Sequence, residues 1–248
     1  MNKYIYALSL YLLTQSLVMF SFFDDPTAHS QRDFVIVSLG CDCHPAAYAR
    51  KHALRDFAFP FDWCLTPFET IYRFIKKDFD GFIKKKHLVP SAERYFSRNL
   101  KKFLTQLSLI GVSTYKSWVV DKKNDIIFVH DFPDNQIPII AKLYKDIAQK
   151  YERRIKRFMT LMNGSKHVYF IRYLDVSKNQ AFDLHALLKT KFPKLSYTLI
   201  VIGNTAEFNT YWGIKSIKNY FLPIHNEEFW EQLFNDIIQG NLNRISIS

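Results

Sequence analysis

The chain has 248 residues, 48% of them apolar, including 23 Phe and 14 Tyr. That is ample for one domain with a full core, and it excludes a disordered or low-complexity protein. A formal charge of +11 favours acidic partners. The lysines, however, fall in short clusters at 76–77, 84–86, 101–102 and 122–123, which read as solvated helix faces. No recognisable nucleic-acid motif accompanies them, so no specific nucleic-acid partner is expected.

Residues 1–23 carry one charge, Lys3, followed by an uncharged run from Tyr4 to Phe23. A basic start with an apolar stretch of this length is expected to be a signal peptide or a membrane anchor. It would place the rest of the chain on the extracytoplasmic side, with any membrane association made through residues 4–23. Residues 24–33 read as a linker, 34–240 as a single domain and 241–248 as a tail. Three cysteines are an odd number, so at least one thiol stays free. Cys41 and Cys43 are too close in sequence for an unstrained bridge, which makes Cys41–Cys64 the expected pairing if one forms.

"FVIVSLG" (34–40) reads as a short buried strand, and Pro45 suits the first turn of a helix over about 45–55. In "FAFPFDWCLTPFE" the rings at Phe57, Phe59, Phe61 and Trp63 alternate as in an extended segment with one buried face. Thr66, Pro67 and Glu69 form a capping-box pattern opening the next helix. Residues 84–115 are charged and give no clear periodicity. Four apolar runs follow, at 125–132, 167–175, 197–204 and 219–226. Helical patterns separate them: 137–164 ending at Gly164, a helix from a Ser177 cap to just before Pro193, and Asn226 to Gly240. The alternation predicts an α/β domain with a mainly parallel sheet of about five strands and helices on both faces.

Ligands of open parallel sheets bind outside the carboxyl ends of the strands. Those ends are Gly40 to His44, His130-Asp131, Arg172 to Asp175, Asn204 and His225-Asn226. Cys43 would start a helix, where unpaired N–H groups and the helix dipole favour a thiolate. His130 could serve as its base, with Asp131, Asp175 or Asn204 orienting the imidazole. Against this stands Cys43 as a small packing residue. A C-x-C-H metal site lacks the usual zinc spacing, and no cofactor is implied. Asp62 reads as a hydrogen-bonded structural carboxylate. Arg153, Arg154, Arg157 and Arg172 could form an anion pocket, but the first three suit a solvated or ion-paired helix face.

The set "SLGCDCHPAAYARKHALRDFAFPFDW", "HDF" (130–132), "YERRIKRF" (151–158) and "FIR" (170–172) resembles an uncharacterised bacterial family of papain-like cysteine peptidases over roughly residues 34–205. The resemblance implies a hydrolase of peptide or other acyl substrates with Cys43 as nucleophile, His130 as base and Asp131 as orienting acid. Ser38, Gly40, Asp62, Trp63 and Arg172 are the expected substrate-binding positions. A papain-like arrangement would set the cysteine helix against an antiparallel sheet. Two other functions fit the residues alone: a non-peptidase α/β enzyme acting on an anionic or glycan substrate, or a non-catalytic membrane-tethered binding domain.

Overall fold

Two four-stranded sheets organise the computed structural model, which describes residues 32–242 except 92, 109–117, 134–136, 175 and 223–225. In chain order the elements are β1 (Phe34–Ser38), α1 (His44–Lys51), β2 (Cys64–Leu65), α2 (Phe68–Lys76), β3 (Leu88–Pro90), α3 (Arg98–Ser108), β4 (Val119–Asp121) and β5 (Ile126–Phe128). Then come α4 (Ile137–Met162), β6 (His167–Tyr173), α5 (Lys178–Lys191), β7 (Tyr197–Gly203), β8 (Ile217–Phe221) and α6 (Glu227–Gln239). The first sheet is wholly parallel, in the order β1-β6-β7-β8.

Strands buried on both faces need apolar residues at odd and even positions alike, and these have them. Val35, Val37, Phe170, Leu199 and Val201 face a core shared with Ile71 and Phe74 of α2, Ile147 and Phe158 of α4, and Leu184 of α5. Ile36, Ile171, Tyr173, Ile200 and Ile202 face a second core with Tyr48 of α1, Phe103 of α3, and Trp230 and Phe234 of α6. Each large side chain buried this way contributes roughly 1.5–3 kcal/mol of hydrophobic stabilisation. The helices thus cover both faces, as the alternation predicts.

The parallel sheet has four strands rather than about five, because the run 125–132 belongs elsewhere. Only Ile126–Phe128 is a strand, and it pairs antiparallel with β2 and β4 in the second sheet, of order β2-β5-β4-β3. A three-residue apolar run looks the same in either kind of sheet. Its partners, Cys64–Leu65 and Val119–Asp121, are only two and three residues long, too short for an alternation to show.

Helix ends follow the sequence at two of three places. Ser177 caps α5 in a full capping box with Gln180. The Asn226 side chain accepts from the N–H groups of Glu228 and Phe229, and Gly240 closes α6 with φ 67°. At α2 the expected capping box is absent: Pro67 is the N-cap, with no side-chain cap, and Thr66 is fully buried. The aromatic segment around Phe61 is a turn over 60–63, not an extended strand.

Cys41, Cys43 and Cys64 are all free thiols. The expected Cys41–Cys64 bridge is not formed, and the two residues lie in different cores. Among the described residues no helix is long and apolar enough to cross a membrane. The signal or anchor expected at residues 1–23 lies outside the described residues.

Candidate functional site

The turn after β1 carries the chemistry. Leu39 N–H still bonds to Ile171 O at 2.8 Å, extending the ladder one residue. Gly40 (φ 71°) and Cys41 (φ 86°) then swing the chain through the left-handed region, which side chains disfavour. Gly40 is required there, since a Cβ would lie 2.3 Å from Thr66 Oγ1. Ser38 Oγ accepts from Gly40 N–H at 3.3 Å. From below, the fully buried Arg172 donates to Leu39 O and Thr66 O, both at 2.9 Å. The result sets Cys43 as the N-cap of α1, with Pro45 in the first turn.

Asp42 and His44 flank the thiol as a hydrogen-bonded pair. Asp42 Oδ1 accepts from His44 N–H at 3.0 Å, and Oδ2 meets His44 Nδ1 at 2.6 Å. The His44 ring lies nearly parallel to Trp230 of α6, centroids 6.3 Å apart. This pair was missed in the sequence because Asp42 reads there as a mere spacer between cysteines. The signal available was an Asp two residues before a His at a helix start, the spacing of a side-chain-to-backbone turn.

His130 and Asp131 follow β5, beyond the end of the strand, and their side chains diverge. The His130 ring meets Trp63 edge to face at 5.7 Å. Arg50 of α1 and Arg55 sit over the same Trp63 ring at 5.9 and 5.1 Å. The Arg50 charge, in the last turn of α1, also favours the Cys43 thiolate. No hydrogen bond joins Cys43 to His130 among the described residues. Asp131 turns inward instead, to Lys150 at 2.5 Å, the Tyr151 hydroxyl, and Arg154 at 3.8 Å. Tyr151 in turn meets Cys64 Sγ at 3.2 Å.

Four of the five expected substrate-binding residues are buried: Ser38, Gly40 and Arg172 build the turn after β1, and Asp62 holds the segment from Arg55 to Phe59. Asp62 Oδ2 accepts from Arg55 at 3.0 and 3.2 Å and from Phe59 N–H at 2.9 Å, as expected of a structural carboxylate. Trp63 reaches solvent. Of the helix arginines, Arg154 is buried and ion-paired, Arg153 is exposed and Arg157 lies over Phe57. Asn204 is exposed directly after β7. Asp175 and His225 lie outside the described residues.

Electrostatics separate the thiol from the picture of a preformed thiolate. Burial, followed by the Asp42 charge, pushes Cys43 up to about 11, and the helix N–H and Arg50 only partly offset this. The thiol is therefore held protonated at neutral pH. Burial lowers the His130 pKa against the opposing pull of Asp131, leaving a neutral imidazole able to accept a proton. Burial also disfavours charged His44, but its bond to Asp42 and that carboxylate's charge outweigh it and raise its pKa. For Asp131, burial pushes upward, yet Lys150 and Arg154 prevail and hold the carboxyl below its ordinary range.

Residues 34–202 match the family described as "Putative papain-like cysteine peptidase (DUF1796)". The chain belongs to this family. The match to the papain-like family runs from the start of β1 into β7, so β8 and α6, with Trp230, lie beyond it. An uncharacterised protein of Acanthamoeba polyphaga mimivirus is 30% identical over 141 residues, covering 56% of this chain. The chain spans 61% of that relative's length. No solved structure matches significantly. Within this papain-like family member the cysteine helix α1 packs chiefly on the parallel strands β1 and β6 and on α6.

Proposed function

We propose that this chain is a cysteine hydrolase of acyl substrates, peptides among them, with Cys43 as nucleophile and His130 as its base. The family's description supports the reaction class. The observation that carries the reading is Cys43 at the N-cap of α1, presented by the Gly40–Cys41 turn, with Arg50 of the same helix over the Trp63 ring that His130 meets.

Because the thiol is protonated at rest, its proton leaves during attack. Cys43 Sγ bonds to the carbonyl carbon as His130 takes the proton. The oxyanion is held by backbone N–H groups of the turn before α1. Collapse breaks the bond to the leaving group, which receives the proton from His130, and water then hydrolyses the thioester with His130 again as base. Asp131 steadies the imidazolium through space, since Tyr151 and Lys150 already occupy its oxygens. Trp63 lines the substrate.

A second reading places the base on His44, favoured by the 2.6 Å bond to Asp42 that orients its ring. Turnover of p-nitrophenyl acetate by the full chain separates the two. The first reading expects Cys43→Ala and His130→Ala to abolish turnover and His44→Ala to retain it. Loss in His44→Ala with retention in His130→Ala selects the second. Full turnover in Cys43→Ala contradicts both.

A further inference from the structure

A cavity of about 290 Å³ opens at the carboxyl ends of β6 and β7, a volume near the lower end of small-molecule sites. Its position is the one where open parallel sheets hold ligands. It lies one strand over from the Cys43 turn, since β6 separates β1 from β7. Its walls come from four places: the segment after β6, the segment after β7, one face of α3, and the start of α2.

Part of the lining is already committed. Gln180 donates to Glu69 at 2.6 Å and accepts from Ser177 N–H at 2.7 Å. Phe208 packs against Gly203 so closely that a Cβ there would lie 2.2 Å from its ring, which fixes an aromatic wall. The rest is uncommitted. Asn99 and Asn204 make no side-chain hydrogen bond among the described residues, and Gln106 Oε1 is buried without a partner. Three amides from two different elements therefore line one space, and among their atoms Gln106 Oε1 is buried and unpaired. A buried polar atom left unpaired in a folded protein calls for a partner.

The charges narrow what that partner is. The lining holds one lysine, Lys102, and two glutamates, Glu69 and Glu207, so it is net negative and does not suit a phosphate or a carboxylate. Amides both donate and accept, which matches hydroxyl groups that do the same. Phe208 with Leu174, Val176 and Pro67 supplies an apolar surface for C–H groups.

We propose that this cavity is a carbohydrate-binding subsite, taking a neutral, polyhydroxylated ring between Asn99 and Gln106 of α3 and Asn204 after β7. It stands independently of Cys43. If both readings hold, the hydrolase acts on acyl groups carried by a glycan.

Saturation-transfer NMR on the full chain, with glucose, N-acetylglucosamine and glucuronate as probes, tests it. The expected result is transfer to the ring protons of at least one neutral sugar, weaker transfer to glucuronate, and no displacement by inorganic phosphate. Each hydrogen-bonding amide removed weakens affinity by about fivefold, so Asn99→Ala and Asn204→Ala should each show that loss. Both residues are exposed, and an unchanged melting curve confirms folding. Absence of transfer to both neutral sugars, displacement by phosphate, or affinity unchanged in the Asn99→Ala/Asn204→Ala double variant overturns the proposal. None of these results alters p-nitrophenyl acetate turnover, which reads Cys43 separately.

Discussion

Replacing Gly40 with alanine strikes the turn between β1 and Cys43 on two counts. A side chain at φ 71° incurs left-handed strain of about 1–2 kcal/mol. The new Cβ also lands 2.3 Å from Thr66 Oγ1, and Thr66 is fully buried, so its side chain has no solvent to swing into. Overpacking of this kind costs roughly 1–3 kcal/mol. Arg172 Nη1 and Phe61 Cβ stand at ordinary contact distances of 3.6 and 3.5 Å and add nothing. Together Gly40→Ala should cost about 3 kcal/mol, measured by urea unfolding followed through the fluorescence of the four tryptophans. In a Thr66→Ala background the clash disappears and only the strain remains. The double-mutant cycle should therefore show a coupling of about 1–3 kcal/mol. An equal cost for Gly40→Ala in both backgrounds would refute the packing argument.

Asp131 carries a pH dependence with a definite sign. Its carboxyl is held below its ordinary range in the folded state, so its stabilisation is present above the unfolded pKa and lost as pH falls through the folded one. Asp131→Asn should cost about 3 kcal/mol at pH 7, because it leaves Lys150 and Arg154 without their buried partner. The gap to the parent in urea midpoint should close at acid pH. Asp42→Asn should lower the His44 pKa in an NMR titration and bring the onset of Cys43 alkylation to lower pH, since Asp42 raises both. Ser177→Ala, which removes the cap and half the capping box of α5, should cost about 1 kcal/mol in the same urea assay.

The parallel sheet was legible because its strands are long, apolar on both faces and separated by strongly periodic helices. Ser177, Asn226 and Gly240 then marked helix ends through chemistry local to the chain. The antiparallel sheet was not legible. Cys64–Leu65, Leu88–Pro90 and Val119–Asp121 are too short for a period of two to register, and their pairing is decided by tertiary contacts. Thr66 misled for a related reason: its pattern is that of a cap, but the packing of Gly40 and Arg172 claims the position. At the site, Cys43 and the turn that presents it were readable from the strand, the glycine and Pro45. The lowered thiol pKa expected at a helix start was not realised. Burial and the Asp42 charge outweigh the helix end, and neither is visible without the fold. The divergence of His130 and Asp131 was foreshadowed by their adjacency, since neighbours on an extended chain point to opposite faces.

The central claim is that Cys43 is the nucleophile, and trapping the acyl-enzyme tests it most directly. The full chain is mixed with p-nitrophenyl acetate at pH 7, quenched in acid and digested, and the acetyl group is located by mass spectrometry among Cys41, Cys43 and Cys64. The account predicts a thioester on Cys43 that fails to accumulate in His130→Ala. Acetyl on Cys41 or Cys64 instead, or labelling of Cys43 that is unchanged in His130→Ala, would contradict it.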